Sequence, residues 1–152
     1  MAAEEVENGL PYLGGCLSEA MRLWPTTPLL ARETITETTL AGAALDQGTQ
    51  VMILNTFNHR DAEQVPAADR FHPERWADGE RDYRFNHLGN GSQDRPGGPL
   101  VLLLGKAVLA QMLASFALEL REPDLDVAGD LPHMLDFFGV RFRVTSARDA
   151  PA

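Results

Sequence analysis

The sequence predicts an α+β fold, mainly helical, on three observations. Apolar residues recur with a helical period between Leu10 and Trp24. Short segments rich in Thr, Ile, Leu and Val alternate with turn residues between Ala31 and Asn55, and a long apolar run begins at Leu100. At 152 residues the chain has the length of one domain. Its 44% hydrophobic and 23% charged residues are the composition of a chain that collapses rather than one that stays disordered.

In the first element Leu13, Leu17, Met21 and Trp24 fall three or four apart, and Pro25 ends the run, which is the pattern of an amphipathic helix. Glu19 and Arg22, three apart, share one of its faces. Strands are expected near 31–38 and 50–54 as a small antiparallel sheet, with breaks at Ala41-Gly42 and Asp46-Gln47-Gly48. Residues 58–84 are polar, carry Pro66, Pro73 and Gly79, and lack a period, so they read as an ordered coil with one helical turn. A loop of that length inside a compact domain usually has a task.

Gly89, Gly91, Gly97 and Gly98, with Pro96 and Pro99, mark a tight loop that feeds an apolar helix from Leu100 to about Leu120. Lys106, Gln111 and Ser115 do not gather on one face, so this helix is expected to be buried. The same residues and Glu119 interrupt the run, so no membrane span is expected. Phe137, Phe138, Val140, Phe142 and Val144 suggest a terminal strand or hairpin after Gly139. Residues 10–145 form the expected unit, flanked by tails at 1–9 and 146–152.

Thirteen basic against 22 acidic residues give a formal charge of -9, which repels phosphate backbones and anionic lipid and argues against nucleic acid as a partner. The single cysteine, Cys16, excludes an internal disulfide and reads as a small buried hydrophobe. No basic segment followed by an apolar run stands behind Met1, so the expected location is cytoplasmic. His59, His72, His87 and His133 show no metal-ligand spacing.

Three motifs carry a resemblance. Glu19-Ala20-Met21-Arg22, preceded by Leu10-Pro11-Tyr12-Leu13 and followed by Leu23-Trp24-Pro25, resembles the E-x-x-R helix of the cytochrome P450 family. Phe71-His72-Pro73-Glu74-Arg75-Trp76 resembles that family's P-E-R-F segment. The run from Phe85 to Gly97 resembles its haem loop, F-x-x-x-G-x-G-x-x-x-C-P-G, at Phe85, Gly89, Gly91, Pro96 and Gly97; Arg95 stands at the cysteine position. The resemblance implies the C-terminal part of the cytochrome P450 fold: E-x-x-R helix, small antiparallel sheet, meander coil, haem loop and a buried following helix. It implies a buried structural triad of Glu19, Arg22 and Arg75.

By the same resemblance the cofactor is haem b, bound through Arg32, Phe85, Gly89, Gln93, Arg95 and Gly97. Arg32 matches a position whose cation pairs with a haem propionate, and Gln93 one where a basic propionate partner is common. The family activity is haem-dependent monooxygenation with electrons from a ferredoxin or a reductase. In the family the cysteine thiolate is the proximal iron ligand. Arginine has five N–H donors and no lone pair, so no metal ligand stands at that position here. No counterpart of the family's distal helix precedes Leu10. The expectation is therefore a truncated and inactive form with no catalytic residue, the alternative being a non-catalytic binding or interaction module that retains the scaffold.

Overall fold

A computed structural model of the chain describes residues 10–77, 84–89, 96–126 and 128–146. Helix α1 spans Pro11–Leu23, with proline in its first turn, where a missing N–H costs nothing. The Trp24 N–H closes it on Ala20 O, and Pro25 prevents continuation. Strands β1 (Leu29–Glu33) and β4 (Gln50–Leu54) pair antiparallel, with Arg32 opposite Val51. Between them β2 (Thr38–Leu40) and β3 (Ala43–Leu45) make a separate hairpin. Its two-residue turn takes Ala41 and Gly42 to φ 49° and 83°, the left-handed geometry that suits the twist of a tight hairpin. The expected single sheet is thus two ribbons, because Thr34 leaves the strand to donate its hydroxyl to Asp46 O at 2.6 Å.

A single turn, α2 (Asn55–Asn58), follows β4, and the coil beyond it holds a 3-10 turn at Pro73–Trp76, within the stretch 58–84 where one helical turn is expected. Helix α3 covers Gly98–Ser115, then β5 (Phe116–Glu122) pairs antiparallel with β6 (Arg141–Ser146). The apolar helix therefore stops before Leu120. Ala117 to Leu120 are good helix formers by propensity, but pairing with Thr145 to Phe142 draws them into a strand, a tertiary override of local preference. Helix does not dominate: α-helices hold 35 described residues and strands 29.

The fold departs most from expectation at α3. Of its residues only Gly98 and Lys106 are buried, while Leu100, Val101, Leu104, Val108, Met112 and Leu113 are all exposed. The reason is its neighbours: α1 packs on one narrow side, where Leu17 meets Gly105 and Lys106 passes Gly14. Among the described residues nothing of comparable size covers the rest. At 18 residues and mean hydropathy 1.5, α3 is also long and apolar enough to cross a membrane, the length the polar interruptions were expected to deny.

Two glycines set the approach of these elements to α1. A Cβ built at Gly15 would lie 2.6 Å from Pro73 O, an immovable backbone atom, whereas one at Gly105 would meet the mobile Cδ1 of Leu17 at 2.9 Å. Gly15→Ala is expected to destabilise the chain by roughly 1–3 kcal/mol through overpacking. Gly105→Ala, where Leu17 can turn aside and helix propensity gains about 1 kcal/mol, is expected to be near neutral. Paired urea titrations check the ranking.

Candidate functional site

The densest set of interactions lies where the inner face of α1 meets the coil. Glu19 and Arg22 project from α1 and are fully buried. The Arg22 fork grips the carboxylate with two parallel bonds, Nε to Oε2 at 2.9 Å and Nη2 to Oε1 at 2.8 Å. Its remaining donors reach main-chain oxygens of the coil: Nη1 to His59 O at 2.6 Å and Ala68 O at 2.7 Å, Nη2 to Arg70 O at 3.1 Å. All five N–H groups of the guanidinium are thereby occupied.

Glu19 also accepts from three groups of the coil and its 3-10 turn. The His72 N–H and Arg75 Nε reach Oε1 at 2.9 and 3.1 Å, and Trp76 Nε1 reaches Oε2 at 2.9 Å. Arg75 adds bonds to Pro66 O and Ala67 O. Burial acts to raise the Glu19 carboxyl, but the hydrogen bonds and charge of Arg22, aided by His72 N–H and Trp76, outweigh it and hold the group below its ordinary range. The structure brings Glu19, Arg22 and Arg75 into one ionised cluster. Its geometry is that of a bracket tying a helix to an irregular coil, with no acceptor left over for a substrate.

Phe85 sits on this bracket. Its buried ring packs against Val65, Ala68 and Trp76, with the Arg22 guanidinium 5.9 Å from its centroid. Four residues later Gly89 takes φ 84°, a conformation open to glycine, and its N–H closes a turn on Asn86 O. Gly97 is exposed immediately before α3, with free space where a side chain would stand. Gly91, Gln93 and Arg95 lie outside the described residues. Arg32 is on β1, half-exposed, with a hydrogen bond to Ala31 O, and among the described residues it makes no hydrogen bond or ion pair with Glu19, Arg22 or Arg75.

Sequence reasoning missed two side chains. His59 is fully buried: Asn86 N–H donates to Nε2 at 2.9 Å, so the proton lies on Nδ1, which donates to Arg22 O at 3.1 Å. Burial, reinforced by the Arg22 charge, lowers its pKa to about 4. Arg60 performs for the distal loop what Arg22 does for the coil, holding Leu23 O, Leu131 O, Pro132 O and the Asp69 carboxylate. Neither has a sequence signal, because apart from the Asp69 carboxylate their partners are main-chain atoms far along the chain. His87, against Trp76 and His59, is buried, and its pKa is likewise lowered to about 4, chiefly by burial and then by the His59 charge.

Among the described residues no group of three or more His, Cys, Asp and Glu side chains is placed to hold a metal ion. Cys16 lies half-buried on α1; burial and then the Glu74 charge raise its thiol pKa, against a hydrogen bond with Tyr12 that lowers it.

A sequence profile described as Cytochrome P450 matches residues 4–129. The chain is 32% identical over 126 residues to cytochrome P450 monooxygenase sphH of Aspergillus fumigatus, covering 77% of this chain and 23% of that protein. It is 30% identical over 128 residues to cytochrome P450 4V2 of Rattus norvegicus, with 80% and 24% covered. It is 34% identical over 131 residues to sugiol synthase of Salvia miltiorrhiza, with 82% and 26% covered. The chain thus spans about a quarter of the length of the curated relatives it matches. A profile match over most of the sequence, together with relatives at this identity, shows that the chain belongs to the cytochrome P450 family.

Proposed function

We propose that this chain keeps the family's framework beneath the cofactor loop but does not perform haem-dependent monooxygenation. The observation that carries the reading is the arginine at position 95, where the family motif has its iron-binding cysteine. The donor set does not fit a haem-thiolate centre. Arginine offers N–H groups and no lone pair. Cys16 belongs to α1, and its raised pKa keeps it a thiol rather than the thiolate that binds metal. Both ring nitrogens of His59 are engaged, and His87 is packed against Trp76 and His59.

The triad Glu19, Arg22 and Arg75 is read as architectural, holding the meander coil and the loop that follows Phe85. Arg32, Phe85, Gly89, Gln93 and Gly97 are the residues of this chain that match haem-contacting positions of the family. They supply a cation, a ring and flexible backbone, but nothing that ligates iron. With no reducible centre there is no task for a ferredoxin or reductase.

The test is spectroscopic. Purified chain mixed with haemin, reduced and exposed to carbon monoxide is expected to lack the red-shifted Soret band of a thiolate-ligated carbonyl complex. Appearance of that band overturns the reading. A second reading, an interaction module without catalysis, is favoured by the exposed apolar face of α3. It expects a discrete complex or oligomer on gel filtration, and a monodisperse monomer speaks against it.

A further inference from the structure

Two parts of the chain meet at the His59 ring. Through Nδ1–H it holds Arg22 O in the last turn of α1, and through Nε2 it holds the Asn86 N–H, 27 positions further along the chain. Only the neutral imidazole with its proton on Nδ1 makes both bonds, since a proton on Nε2 would point a donor at a donor. Burial and then the Arg22 charge oppose that second proton, against the bond to Arg22 O, which favours it. Arg22 of α1 lays its guanidinium on the His59 carbonyl, Arg60 is next in the chain, and Arg84 and His87 belong to the same segment as Asn86. From the coil come Arg70, Arg75 and Asp69. Asp69 is engaged by Arg60, and Glu19 of α1 by Arg22 and Arg75. Among the described residues no carboxylate bonds the imidazole.

We propose that His59 is an acid-labile clasp: while neutral it fastens the 84–89 segment to α1, and protonation at Nε2 releases the Asn86 amide and, with it, Phe85 and His87 from Trp76. The geometry makes the release local. Trp76 packs against both Phe85 and His87, with ring centroids 5.2 Å away in each case, whereas Trp24 packs on Arg60 and donates to Pro132 O at the other side of the bracket. Burial, with the Arg22 charge, places the transition near pH 4. Below its midpoint the closed population falls about tenfold for each pH unit. The clasp is independent of what stands at position 95, so it holds or fails separately from the reading of the cofactor loop.

The two tryptophans allow a direct test on the full chain. Labelled with fluorotryptophan and followed by fluorine NMR, with assignment from Trp24→Phe, the Trp76 resonance is expected to shift with a midpoint near pH 4. The Trp24 resonance and the far-ultraviolet circular dichroism should hold steady through that midpoint. His87, whose pKa also lies near 4 and whose ring packs on Trp76, is replaced first: His87→Gln should keep the midpoint, and adding His59→Gln, which offers a donor and an acceptor but does not titrate, should remove it. The clasp is overturned if both tryptophan signals move together with loss of helix, if His87→Gln abolishes the Trp76 transition, or if His87→Gln combined with His59→Gln retains it. Should His59→Gln fail to fold, the unsubstituted chain decides. A His59 ring titration accompanied by displacement of the Asn86 amide resonance supports the clasp, and a titration without that displacement overturns it.

Discussion

Glu19→Ala is expected to cost the chain about 3–5 kcal/mol, the scale of loss when one partner of a buried ion pair is removed. The carboxylate is fully buried and accepts from Arg22, His72, Arg75 and Trp76, so its removal leaves the Arg22 guanidinium charged, buried and short of two acceptors. Domains of this size are stable by roughly 5–15 kcal/mol, so the variant should retain a small part of its stability at best. A urea titration monitored by circular dichroism reads the difference. Arg75→Ala should cost less, because Arg75 is partly exposed and leaves the Glu19–Arg22 pair intact. Joint replacement, Glu19→Leu with Arg22→Met, should recover part of the loss, since the desolvation of both charges disappears with them. A loss below about 1 kcal/mol for Glu19→Ala would mean that the pair behaves like one at the surface, against the geometry found.

The second large effect is the acid dependence of stability. His59 and His87 have pKa values near 4 in the folded chain and near the ordinary 6.5 when unfolded. The folded state then binds fewer protons than the unfolded one, so stability is fully present above pH 6.5 and declines as pH falls from 6.5 to 4. For each histidine the loss by pH 4 is about 3 kcal/mol at 1.36 kcal/mol per pH unit, and the two do not simply add because they repel one another when charged. Glu19 acts in the same direction at lower pH. Its folded pKa is depressed, so its contribution is present above its unfolded value and lost as pH falls through the folded one. Urea midpoints should therefore be flat between pH 7 and 8, fall steeply between 6 and 4, and continue to fall below. His87→Phe should flatten the upper part of the decline. A stability profile level down to pH 4 would contradict the burial of both rings.

Much of the bracket was legible in the sequence, and the reason is geometric. Glu19 and Arg22 are three apart on a helix that begins and ends within one residue of where its apolar period and prolines place it, while the place of Arg75 came from the family resemblance of Phe71 to Trp76 and not from spacing. What escaped notice depends on distant backbone. His59 and Arg60 find their acceptors at Arg22, Leu23, Leu131 and Pro132, and no local spacing records that. The end of α3 was misplaced for a related cause: Phe116–Glu122 becomes a strand through a partner that begins at Arg141. Burial of α3 was misjudged because an all-round apolar helix states a demand for cover without naming what meets it.

The bracket holds carbonyl oxygens in preference to side chains. Arg22 binds the oxygens of His59, Ala68 and Arg70, and Arg60 those of Leu23, Leu131 and Pro132. Every residue type carries that oxygen, so at Ala68 or Arg70 the identity of the side chain is nearly immaterial to the grip, while its position in the count of residues is not. Point substitutions should be tolerated at the exposed Arg70, and small ones at Ala68, which packs against Val65 and Phe85. Insertion or deletion of a single residue between His59 and Arg70 should not, because it would slide each oxygen past the guanidinium by a full residue, about 3.3–3.6 Å. Over long spans of drift the exposed positions of such a segment can change their letters while its length is kept, which makes it a ruler as much as a message.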